Sequence, residues 1–532
     1  MAMNLTKLSD AEYPLDGIRE AIDGDNALDP ADPTAYYTAE GNPPGYWIGS
    51  GAKLLGGTVG TTASSRTVRS LIHERRHPST GRYLGDVKLT AGDDGQAPVA
   101  GWDLTTRQPK SVSILWAFGD SETRRGIDEC LQKATEMTIA YLEEEYASTR
   151  AGQGGVAGVS CDGLAGFVFD HYDTRDGDPQ PHKHVVLSNR VRRTSDGVWT
   201  ALDGRKMYGS MVEISELHEN LVQDLLTQRF GWKWTAKPAA DGSRAMVNEV
   251  EGVPRELIEA FSGRHAEIAK EVERKIREEE QETGKVVGPR RKAQIDLEVW
   301  RSTRKAKPDI QPSLAKKRSG WYHKLGEVAP GVSLERMWKD VNSHKQATLH
   351  VDAASEKDVA DLLFGQLADL TRMAGSGSEF ADNQAGLAVK GTSRAHTVWR
   401  KTNVRAEAER LLRDVRIDPE QRAIAANAIS DRAIARCVKL SPTRYRLPPE
   451  ALDDTFIATR SGRSVFDDPD LDLYTTSDVL DAEHYMIGAL DRRAGIGYEP
   501  GEGAEWLGRW NQRTAAAGGH PLAPDQWRAA AY

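Results

Sequence analysis

Three histidines fall within fourteen residues in the segment Phe167-Val-Phe-Asp-His171-Tyr-Asp-Thr-Arg-Asp-Gly-Asp-Pro-Gln-Pro-His182-Lys-His184-Val-Val-Leu. Side chains alternate across a strand, so His182 and His184 project from one face and Lys183 from the other. Residues Phe167 to His171 also read as a strand, and Asp176-Gly177, Pro179 and Pro181 supply turn chemistry between the two. That hairpin brings His171 beside the other pair. Three neutral imidazoles suit a borderline divalent ion and leave coordination positions open for water or a substrate oxygen. Open positions point to catalysis rather than to a structural staple. The competing reading makes two of these histidines surface residues of a polar hairpin and the third a satisfied core residue.

The rest of the chain narrows the setting. At 532 residues and 39% hydrophobic content it can bury more than one core, and its length suggests roughly three domains. Cys130, Cys161 and Cys437 are too few and too scattered for a disulfide framework or a thiolate zinc site. No run of about eighteen apolar residues occurs, and Met-Ala-Met-Asn-Leu-Thr-Lys lacks the apolar core of a secretion signal. The expectation is a cytoplasmic chain without membrane insertion. A net charge of -9 argues against a protein that is basic throughout. Between Lys285 and Lys324, however, twelve basic residues face only Asp296, Glu298 and Asp309. Such a segment can hold a phosphate backbone, or it can be a solvated, partly helical connector.

Along the chain, residues 1 to about 60 are loop-rich with clustered tyrosines: Tyr13, Tyr36-Tyr37 and Tyr46-Trp47. A strand is expected at Ala100 to Thr105, followed by the run Lys110 to Trp116. Helical periodicity covers Ser121 to about Tyr146, strands cover Val156 to Val191, and a short strand covers Trp199 to Leu202. An amphipathic helix is expected over Met211 to Phe230. Glu267 to Gln281 reads as a charged helix supported by Glu271 with Lys275 and Glu273 with Arg277 at i, i+4. Residues 333 to 440 look mainly helical, with Ala374-Gly-Ser-Gly-Ser as a flexible loop. Strand-like and helical segments return over 455 to 490.

A candidate metal site near clustered tyrosines and a basic segment suggests phosphoryl chemistry on a nucleic acid, with a phenolic hydroxyl as nucleophile. The string Gly101-Trp-Asp-Leu-Thr-Thr-Arg-Gln-Pro-Lys-Ser-Val-Ser, then His171-x10-His182-x-His184 and Ala201-Leu-Asp-Gly-Arg, resembles the MobF-class conjugative relaxases of the TrwC/TraI type, within the HUH endonuclease superfamily. Tyr36-Tyr-Thr-Ala-Glu-Gly, leading to Trp47-x-Gly-x-Gly-Ala52, fits the same pattern, and the resemblance spans roughly residues 1 to 265. It implies an α+β fold in which an antiparallel central sheet has flanking helices (the HUH relaxase fold), followed by a mostly helical C-terminal region. The domains expected are a relaxase over 1–300, a basic connector over 301–332 and a mainly helical region over 333–532 that resembles the N-terminal part of a helicase.

The resemblance also assigns roles. His171, His182 and His184 become ligands of a divalent ion, with magnesium, manganese and zinc all open, and Asp103 becomes the carboxylate that hydrogen-bonds a ligand histidine. Tyr13 lies where the family places its first catalytic tyrosine, without the usual neighbouring tyrosine. Tyr36 and Tyr37 match the second tyrosine pair. The activity implied is nicking of single-stranded DNA at an origin of transfer, leaving a 5′-phosphotyrosine and a free 3′-hydroxyl, with reverse joining. Relaxosome accessory proteins and a coupling protein are the implied partners. Trp47 and Trp102 are candidates for stacking on bases, with a core position the stronger reading for Trp102. Pro521-Leu-Ala-Pro-Asp-Gln526 resembles the opening glutamine motif of a helicase, yet no Gly-x4-Gly-Lys-Ser/Thr loop is present, so no ATPase is expected and the chain reads as ending just before a nucleotide site. The alternatives are a metal-dependent nuclease or rolling-circle replication initiator built on the same histidines, and a non-catalytic DNA-binding scaffold whose metal is structural.

Overall fold

The computed structural model describes residues 3–9, 42–87, 97–155, 157–238, 246–303, 312–371, 376–441, 471–491 and 502–516. Its organising element is a five-stranded antiparallel sheet formed by β1 (Met3–Leu8), β2 (Tyr46–Ile48), β3 (Gly101–Thr106), β4 (Gly166–Asp173) and β5 (Pro179–Ser188). Their spatial order is β1-β3-β5-β4-β2, which puts the two histidine strands side by side at the centre. Strand alternation divides their side chains between two cores. Phe167, Phe169 and Val186 join Trp47, Leu71 and Ile72 on one face. Val168, Val185 and Leu187 join Ile139, Leu142 and Ile214 on the other.

The second face is covered by helices. Residues Ser111 to Phe118 of α1 (Lys110–Phe118) are all buried, as that apolar run requires. In α2 (Ser121–Glu145) the Asp120 side chain accepts from the Thr123 N–H at the N-terminus, and Ile127, Leu131, Ala134, Ile139 and Leu142 form the buried stripe. Helix α3 (Gly204–Phe230) starts seven residues before the Met211 expected from periodicity. Asp203 explains the early start, because its carboxylate accepts from the Arg205 N–H and pairs with the Arg205 guanidinium at 2.6 Å. Gly204 lets the helix approach the sheet closely: a Cβ there would lie 2.3 Å from the Trp102 ring. The Gly-Trp-Asp and Leu-Asp-Gly-Arg strings therefore share a packing contact as well as their place in the motif order.

Beyond α3 come α4 (Gly263–Thr283), α5 (Pro289–Ser302), α6 (Leu314–Val328), α7 (Leu334–Ser343), α8 (Glu356–Leu370), α9 (Gly377–Ala395), α10 (Lys401–Leu411) and α11 (Pro419–Ile434). On α4, Glu273 and Arg277 pair at 3.7 Å as their spacing predicts. Glu271 instead pairs with Arg274 at 2.5 Å, and Lys275 reaches across to Glu298 on α5 at 4.0 Å. Residues 376 to 378 were expected in a loop. Ser376 is instead an N-cap, locked with Glu379 in a reciprocal capping box, and the helix begins at once.

One core cluster runs from Val112 through Leu314, Trp321 and Leu325 to Val341, and contacts group Met1–Tyr474 as one unit. Helices α8 to α11 have their own core, but buried charges tie it to α3. Thr475–Tyr532 forms a second unit, in which helices Ser477–Asp491 and Glu502–Ala516 are described. Among the described residues, no helix is long and apolar enough to cross a membrane.

Candidate metal centre

The three histidines converge because the register of β4 against β5 places His171 directly opposite His182 and Phe169 opposite His184. Ring centroids are 5.2 Å apart for His171 and His182, 4.8 Å for His171 and His184, and 5.3 Å for His182 and His184. One nitrogen from each lies within 4.8 Å of the others, the only such group of three His, Cys, Asp or Glu ligands among the described residues. His171 and His184 are buried and His182 is partly exposed, so the centre opens on the His182 side.

Hydrogen bonding orients two of the rings. Asp103 on β3 accepts from His184 Nδ1, at 3.0 Å and 2.9 Å to its two oxygens. The Gln180 carbonyl accepts from His182 Nδ1 at 2.8 Å. Carboxylate and carbonyl oxygens accept these bonds, so each ring donates through Nδ1 and Nε2 is the atom that can hold a cation. That donor set fits a divalent cation: neutral imidazoles, with a carboxylate behind one of them to fix its tautomer and raise its basicity.

The turn of the hairpin is anchored from outside the sheet. Thr174 N–H bonds to the Asp178 carbonyl at 2.8 Å, and Gly177 occupies a left-handed conformation at φ 81°. Helix α6 then grips this turn. Lys317 pairs with Asp173 at 2.6 Å, Lys324 pairs with Asp178, and the Trp321 indole N–H donates to the Gly177 carbonyl at 2.6 Å. Between helix and turn lies a cleft of about 310 Å³ lined by Asp176, Pro312 and Lys316. Lys110 adds a bond from its ammonium to the Pro179 carbonyl at 3.1 Å.

Each residue singled out in the sequence can now be placed. His171, His182, His184 and Asp103 come together. Tyr13, Tyr36 and Tyr37 lie outside the described residues. Trp47 and Trp102 are 5% and 4% exposed and belong to the two sheet cores, which leaves neither available as a stacking platform. Trp102 also donates its indole N–H to Asn189 at 3.1 Å. In the basic segment, Arg291 is paired with Glu279 and Glu298, Lys317 and Lys324 hold the hairpin turn, and Arg318 donates to the carbonyls of Ala117 and Gly119. Lys285, Arg290, Lys292 and Lys316 are exposed. Sequence reasoning missed the α6 latch, because a run of lysines reads alike whether its partners are phosphates or aspartates 144 and 146 residues away.

Comparison with known proteins places this arrangement. The model of the TrwC relaxase family matches residues 11–328, more than half of the chain, and the protein belongs to that family. It is similar to the multifunctional conjugation protein TraI of Escherichia coli strain K12, 28% identical over 239 residues that make up 42% of this chain and 12% of TraI. A second Escherichia coli TraI is 32% identical over 165 residues, 30% of this chain and 8% of that protein. The match thus spans only a small part of the length of these relatives. Among solved structures, the metal-bound conjugative relaxase TrwC in complex with oriT DNA is 22% identical with a TM-score of 0.44, over 62% of this chain and 99% of that one. TrwC complexed with a 27-mer DNA comprising the recognition hairpin and the cleavage site is 21% identical with a TM-score of 0.41, over 61% and 98%.

Proposed function

We propose that this chain is a conjugative relaxase that nicks single-stranded DNA at an origin of transfer by tyrosine transesterification. The observation that carries the reading is the convergence of His171, His182 and His184, with Asp103 behind His184, in a member of the TrwC relaxase family. In this proposal the three imidazoles hold a divalent ion, magnesium, manganese or zinc. When bound, such an ion polarises a nonbridging phosphate oxygen and offsets charge developing at phosphorus. Asp103 keeps the His184 ring in its ligating tautomer. The Tyr13 oxygen forms a bond to phosphorus while the bond to the 3′ oxygen breaks, and that oxygen leaves as the 3′-hydroxyl. One phosphodiester replaces another, so the 3′-hydroxyl can attack the phosphotyrosine and rejoin the strand without ATP. Tyr36 or Tyr37 serves a second transfer. The proposed setting is the cytoplasm, with accessory proteins at the origin and a coupling protein as partners. Residues 1–300 supply the nicking activity, and 333–532 correspond to the approach to a helicase.

The test is incubation with single-stranded oligonucleotides from a cognate transfer origin and Mn2+, followed by a denaturing gel. The expected product is a covalent protein–DNA adduct that disappears with EDTA, in His182→Ala and in Tyr13→Phe. Cleaved ends without an adduct would sink the proposal in favour of a water-using nuclease. DNA that is bound but uncut would favour a scaffold. An adduct untouched by Tyr13→Phe would move the nucleophile to Tyr36 or Tyr37.

A further inference from the structure

The residue between the two histidines of β5 is the anomaly of the sheet. Alternation turns Lys183 away from the metal face and into the helix-covered core, on the same side as Val185 and Leu187, which have no solvent exposure. Lys183 itself is only 6% exposed. Its ammonium lies 2.5 Å from Asp170 Oδ1 on β4 and donates to the Tyr46 hydroxyl on β2 at 3.1 Å.

A buried ion pair is a poor source of stability, because an apolar pair of similar volume often does as well or better. What it supplies here is register. Asp170 and Lys183 are direct cross-strand partners, and the next pairs on either side are His171 with His182 and Phe169 with His184. A slip of one residue would turn His182 and His184 into the helix-covered core and bring Lys183 to the metal face. Apolar patterning opposes that slip only weakly, since β4 and β5 are apolar on both faces: Phe167, Phe169 and Val186 on one, Val168, Val185 and Leu187 on the other. The pairing shifts between His171 and Asp173, so the register at the histidines differs by one residue from the register next to the turn.

We infer that Lys183 is a positioning residue: with Asp170 and Tyr46 it locks β4 against β5 in the register that brings His171 opposite His182. The inference rests on the reading of the histidines as metal ligands. It separates stability from metal binding, which a merely structural role would not.

The experiment compares the full chain with Lys183→Met and with the double variant Asp170→Leu, Lys183→Leu, in which neither charge is left unpaired. Thermal unfolding, Mn2+ titration and hydrogen exchange of the β4 and β5 amides without metal are measured on each. The double variant is expected to unfold at or above the parent's temperature, to bind Mn2+ about tenfold or more weakly, and to exchange its β4 and β5 amides faster. Parent-like Mn2+ affinity together with unchanged exchange would overturn the lock, and Lys183→Met is read against the double variant if the single change alone lowers stability. A parent that binds no Mn2+ would overturn the ligand reading, and the metal-free exchange comparison would still decide the register lock.

Discussion

Asp103 and Lys183 are both buried polar residues next to the same histidines, and their chemistry sends them to opposite tasks. Asp103 lies on the metal face and touches His184 directly, so its removal changes the ring that donates. Lys183 lies on the other face and acts through the backbone of the strand. Asp103→Asn retains the size of the side chain but loses its charge. The expected outcome is weaker divalent-metal binding by about tenfold or more with little change in unfolding temperature, checked by Mn2+ titration and thermal melts. The His171-x10-His182-x-His184 spacing was legible because a two-residue period is a local property of a strand. The partner of Lys183 was not, since an ion pair thirteen residues apart depends on which residues the register sets opposite each other.

At the scale of elements, α3 is the hub. It packs against the sheet on one side, and on the other it meets α10 and α11 through buried charges. Asp224, with no exposure, pairs with Arg422 at 2.6 Å and Arg416 at 3.1 Å, while Asn220 donates to Glu409 at 2.7 Å. Burial, only partly offset by Arg422 and the Asn220 hydrogen bond, pushes the Glu409 carboxyl from 4.5 up to about 7. A carboxyl with a raised folded pKa keeps its proton where the unfolded chain has lost it. Its contribution to stability is fully present below about 4.5 and is lost as pH rises through about 7. The unfolding free energy should therefore carry a component that declines across that window by on the order of a few kcal/mol. In Glu409→Gln, denaturant melts at several pH values should show a shallower decline; Glu213, also raised to about 7 chiefly by burial, keeps it from vanishing. Helix α3 was recognisable from its apolar period, but its early start at Asp203 depended on a cap and on the fit of Gly204 against Trp102.

For the unit Met1–Tyr474, the consequence is that residues 405–422 supply the charge partners of α3. Arg405, Arg410, Arg413, Arg416 and Arg422 neutralise Glu213, Glu216 and Asp224 on α3. A chain ending at residue 330 would leave those acids without their partners and is expected to unfold well below the temperature of the full chain, by circular dichroism. An unchanged melting temperature would show that the first 330 residues stand alone, because a deserted buried charge costs about 3–5 kcal/mol. The amino-acid sequence by itself determined the strands and helices of strong period, the α+β class, the histidine hairpin and the motif order that points to the relaxase family, since each is written in neighbouring residues; the antiparallel central sheet was implied only by that resemblance. Only the tertiary structure decided that the basic segment latches the hairpin turn through α6, that Trp47 is core, and that α8 to α11 belong to the same unit as the sheet. Those outcomes depend on which distant charges and rings come into contact, and burial then sets their energies.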